Sequence, residues 1–134
     1  MYLKCFSNNK TKEAILDLCI YCARANSVTT EEEISLIKEF SDELKIDFYE
    51  EPKNSMTNDL DYISQRCTLS EQKKIVIELL SIMIADGSCD SEEWSFMKNK
   101  VIPSLGVQEE DLTKFYKALQ QLYIEYGHLN SLVS

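Results

Sequence analysis

The chain has 134 residues, 44% of them hydrophobic, enough for a single domain to bury a core without disulfides or a structural metal. Its formal charge is −9 and its pI about 4.6, which disfavours nucleic acid and anionic membrane surfaces as partners unless the 14 Lys and Arg residues gather in one patch; they are scattered, and cations or a basic protein surface fit better. With three glycines and two prolines the chain lacks the turn chemistry of a many-stranded sheet, which leaves an all-α fold.

The opening MYLKCFSNNK has no signal-peptide apolar run, and no later segment approaches the roughly 18 apolar residues of a membrane span. A cytoplasmic protein is expected. Cys5, Cys19, Cys22, Cys67 and Cys89 are odd in number and sit mostly among apolar neighbours, which suits a reducing compartment.

A first helix is predicted from Thr11 to Ala25, where Ile15, Leu18, Cys19 and Cys22 make one apolar stripe, and RANSV breaks it. Thr30 and Glu33 form a T-x-x-E capping box that opens a second helix, buried along Ile34, Ile37, Ser41 and Leu44 and ending near Ile46. DFYEEPKNSMTND reads as a connector, followed by a short helix from Asn58 to Arg66. A second capping box, Thr68 to Glu71, opens a helix apolar nearly all round and therefore central. Asp86-Gly87 ends it, Asp90 starts the next, and Pro103 stops that one. The last helix carries Leu112, Phe115, Tyr116, Leu119, Leu122, Tyr123 and Tyr126 and closes at Gly127, over about residues 109–126. The expectation is one domain over 1–134 with about seven helices.

Shifted by 60 positions, ILDLCIYCARANSVTTEEEISLIK lies on IVIELLSIMIADGSCDSEEWSFMK without a gap. The roles match as well as the letters: Thr30 and Asp90 are N-caps, Glu33 and Glu93 are third helical residues, Ile34 and Trp94 begin buried stripes. Two related helical hairpins are expected, one over about 11–47 and the other over about 71–107.

The acidic stretch IADGSCDSEEW is not a calcium EF-hand loop. Counted from Asp86, the glycine position holds Ser91 and the bidentate glutamate position holds Met97. Two readings stay open. In one, Gly87 ends a helix, Asp90 caps the next, and Glu92 and Glu93 favour its positive end. In the other, a tight loop brings Asp86 and Asp90 together around a hard divalent cation such as Ca or Mg.

The pattern A-D-G-x-x-x-x-E-E after an apolar helix, a weaker copy upstream in ARANSVTTEEE, and SLGV after the following helix resemble the TerB-like family, named for tellurite-resistance proteins. The resemblance covers roughly Thr11 to Tyr126. It implies an internally duplicated helical domain that binds divalent cations and acts as a sensor or scaffold in stress-response or defence complexes, not as an enzyme. Carried onto matching positions, the metal residues are Asp86, Asp90 and Glu93, with Glu33 as the first-copy counterpart of Glu93. The first copy has Asn26-Ser27 where the second has Asp86-Gly87.

Other constellations point to packing. Cys19-x-x-Cys22 lies on the buried stripe, and His128, the one histidine, sits beyond the last predicted helix as a solvated residue, so no catalytic residues are nominated. Tyr116, Tyr123 and Tyr126 are candidate contacts for a protein partner. The alternative to a cation sensor is a metal-independent adaptor whose acidic face binds a basic protein.

Overall fold

Asn8, Thr30, Ser55, Thr68 and Asp90 each accept a hydrogen bond from the amide three residues ahead, and each starts a helix. In the computed structural model, which describes every residue except Asp86 and Ser88, these caps open α1 (Asn9–Ala23), α2 (Glu31–Leu44), α3 (Met56–Arg66), α4 (Leu69–Met83) and α5 (Ser91–Phe96). After α5 the chain widens into a π turn, Met97–Val101, and then tightens into a 3-10 turn, Ile102–Ser104, where Pro103 removes an amide from the ladder. The last helix, α6, spans Glu109–Val133. The described residues form one compact all-helical domain of six α-helices where about seven were expected, and none of these helices is long and apolar enough to cross a membrane.

α1 and α4 lie side by side in the centre. In α1 every residue from Ala14 to Ile20 is buried, with Cys22 and Ala23 beyond it. α1 is therefore as central as α4, although its sequence shows a one-sided stripe. α2, α3 and α4 pack on α1, while α2 and α6 pack on α4. A short 3-10 turn, Leu3–Cys5, lies against α2 and α4, and buried Glu78 of α4 accepts the Tyr2 amide at 3.1 Å.

What covers the polar side of α1 is the connector. Asp17 accepts three bonds: from the Tyr49 hydroxyl at 2.7 Å, the Lys53 amide at 2.9 Å and the Asn54 amide at 3.0 Å. Tyr21 and Arg24, further along the same side, donate to the carbonyls of Asn54 and Glu50. Asp17 has no exposed surface, yet its charge is met by donors on both oxygens, the condition under which a buried carboxylate is tolerated.

The last helix requires a correction. It does not close at Gly127 near residue 126 but continues to Val133, because Gly127 has no positive φ and Leu129, Leu132 and Val133 continue its apolar periodicity. His128 is consequently a helical residue on the exposed end of α6 and not a tail.

Replacing Asp17 with alanine strips three donors of their acceptor, two of them backbone amides. Asp17→Ala should lower unfolding stability by about 3 kcal/mol in urea titrations and make the 47–55 connector the first segment to exchange its amide hydrogens.

Candidate functional site

α1 and α4 begin at residues 9 and 69 and end at 23 and 83, and α2 and α5 begin at 31 and 91. The loops that follow α1 and α4 meet. Asn26 Nδ2 donates to Asp90 Oδ2 at 2.8 Å, so a residue of the first loop holds the N-cap of the second hairpin's outer helix. Each loop turns through a positive φ, at Ser27 (66°) in the first and Gly87 (113°) in the second. Asn26 also accepts the Val28 amide at 3.1 Å, a local turn that stabilises the Ser27 geometry.

Both outer helices open with complete capping boxes. Thr30 Oγ1 accepts the Glu33 amide at 3.1 Å while Glu33 Oε1 accepts the Thr30 amide at 2.9 Å. Asp90 Oδ1 accepts the Glu93 amide at 2.8 Å while Glu93 Oε1 accepts the Asp90 amide at 3.1 Å. The two glutamates are buried to the same degree, 3% exposed. Beneath them lies the Cys22 thiol, fully buried; its pKa is pushed well above the usual value by burial first, then by Cys19 and by Glu93, Cys89 and Glu33. Asp90 is exposed, and the Asn26 hydrogen bond, with the Glu93 amide, holds its carboxyl below the usual range.

The expected metal residues thus divide. Asp90, Glu93 and Glu33 gather around the paired loops, but both oxygens of Asp90 and at least one of each glutamate are engaged in the fold. Asp86, the acid on which a second-copy cation site would turn, lies outside the described residues, as does Ser88. Among the described residues no group of three or more acid, histidine or cysteine side chains is arranged to hold a metal ion.

On either side of the paired loops lies a cleft, and the two clefts are counterparts. One is lined by Glu31, Glu32, Ser35, Leu36 and Glu39 of α2, with Ala85 from the second loop and Tyr123. The other is lined by Ser91, Glu92, Ser95, Phe96, Asn99 and Lys100, with Ala25 from the first loop. Each cleft therefore takes its wall from one hairpin and its floor from the other. The first is the more acidic, with three glutamates and no base.

The three candidate tyrosines do not form one groove. Tyr116 is packed inward, edge to face with Trp94 at 5.4 Å, whereas Tyr123 borders the acidic cleft and Tyr126 is exposed further out. Cys19 and Cys22 are fully buried packing residues whose thiols burial holds in the neutral form.

Sequence periodicity missed a second acidic cluster, on the other side of α1. Asp59 of α3 is buried, and its Oδ2 meets no donor among the described residues. It faces Asp17, itself an acceptor, so the two carboxyls share a hydrogen bond only when Asp59 carries a proton. Burial, then that hydrogen bond, then the charges of Asp17 and Glu13, push the Asp59 carboxyl up to about 8.

A raised folded pKa means that the Asp59 contribution is complete below its unfolded value, roughly 4, and is lost as pH climbs through about 8. Asp59→Asn stays neutral and can still donate to Asp17. From pH 5 to pH 9 the wild type should lose about 4 kcal/mol more unfolding free energy than this variant, read from paired urea titrations, and equal slopes would remove the shared proton from the account. The chain matches no known protein family, no curated protein and no solved structure.

Proposed function

We propose that the chain is a non-catalytic interaction domain, built as two related hairpins in the manner its resemblance to the TerB-like family implies, and that it works as a metal-independent acidic adaptor. The observation that carries this reading is the engagement of Asp90: one oxygen accepts the Glu93 amide and the other the Asn26 side chain, so its acidity serves to start a helix and to lock two loops together. A cation entering there would have to share each oxygen it used with a donor already bonded to it. The cleft over α2 gives the adaptor its chemistry. Glu31, Glu32 and Glu39 stand around Leu36, Ala85 and Tyr123, a surface suited to a basic segment with one apolar anchor.

A second reading, a Ca- or Mg-binding sensor or scaffold, has one specific observation behind it. Asp90 is exposed and held ionised at the end of a loop whose sequence supplies Asp86. In that reading the ion fixes the relative pose of the hairpins that a partner senses.

Calorimetric and thermal titration of the metal-stripped protein separates the two. The adaptor reading expects no saturable heat with Ca²⁺ or Mg²⁺ and a shift in Tm below about 1 °C. Saturable binding that Asp86→Asn together with Asp90→Asn abolishes would replace it with the sensor.

A further inference from the structure

The stripe that fastens α6 to the domain does not stop where the domain stops. Leu112, Phe115, Leu119, Leu122, Tyr126, Leu129 and Val133 recur at alternating intervals of three and four, the seam of a coiled coil. Its first half is covered: Leu112 and Leu119 are buried. From Gln120 onward every residue is exposed, and on the same face Leu122 is 39%, Tyr126 59%, Leu129 58% and Val133 85% exposed. With flanking Tyr123 and Leu132 this leaves on the order of 600 Å² of apolar surface, at the upper end of what a monomer shows and approaching the ~800 Å² one partner contributes to a stable interface.

We propose that this end of α6 pairs antiparallel with α6 of a second copy of the chain. Three observations select that occupant. The seam is its own complement: a two-fold axis between Gly127 and His128 sets Leu122 against Val133 of the partner subunit, and Tyr126 against Leu129 of the partner subunit, with no exposed seam residue left over, while exposed Ile124 lies off the seam. Charge permits it, since from Ala118 to Ser134 the only carboxylate side chain is Glu125 and there is no Lys or Arg, although the chain as a whole carries −9. A basic helix would find nothing to recognise here. Sterics choose the direction: a parallel second helix would carry its own domain into the space the first domain occupies on the Leu112 and Leu119 face. Antiparallel pairing puts the two acidic bodies at opposite ends of the helix pair, separated by about 20 Å of helix whose one charged side chain per chain is Glu125.

The test uses the whole chain under reducing conditions. Sedimentation equilibrium should give twice the chain mass for the wild type, while Tyr126→Lys and Leu129→Glu should each give the single-chain mass with an unchanged helical circular dichroism spectrum. Mixing the two variants in equal amounts should restore the doubled mass, because only the antiparallel register sets the new lysine against the new glutamate. A wild type that stays at the single-chain mass up to about 200 µM, or a Leu129→Glu chain that still doubles, overturns the pairing. Failure of the mixture to recover the doubled mass overturns the antiparallel register.

Discussion

One carboxylate without exposed surface, Asp17, decides how the centre of this domain can be built. Because three donors of the connector converge on it, α1 can be enclosed on its polar side by backbone and on its apolar side by α2, α3 and α4. Without that convergence the same side chain would need water, and the helix would have to lie at the surface. The charge on Asp17 then sets the state of its neighbour. Two carboxylates cannot be buried together in ionised form, so Asp59 keeps its proton, and α3 is held to α1 by a polar contact as well as by Leu60 and Ile63.

Legibility in the sequence followed from how local each signal was. The capping boxes at Thr30 and Thr68 depend on residues three apart, and the helices start where those letters place them. The meeting of the two loops is a different matter, since Asn26 and Asp90 are 64 residues apart and neither letter predicts the other. Asp17 and Asp59 sit where helical periodicity expects solvent, and only the return path of the connector makes them interior. Gly127 misled for a physical reason: glycine is required only where φ turns positive, as at Gly87, and elsewhere a helix tolerates it at a cost of about 1 kcal/mol.

The paired loops join segments that lie 64 residues apart in the sequence. Because each outer helix forms one wall of a cleft and the opposite loop forms the floor, neither hairpin presents either cleft alone. The Asn26 bond to Asp90 fixes wall against floor. The two clefts differ in charge: Glu39 lines the first with Glu31 and Glu32, whereas Asn99 and Lys100 line the second with Glu92.

The acid content of the chain invites a cation, and the fate of those acids argues against counting them. Of 23 Asp and Glu residues, Asp17, Glu33, Asp59, Glu78 and Glu93 are buried, and each serves the fold by holding the connector, capping a helix, sharing a proton or holding the N-terminal segment. Exposed Asp90 is engaged on both oxygens as well. A carboxylate that accepts neutral N–H groups on both oxygens has committed a lone pair of each before a hard ion arrives, and a carboxyl that keeps its proton is no anion at all. Acid pattern in a helical sequence therefore measures how many helix starts and interior polar contacts the fold must satisfy before it measures affinity for metal.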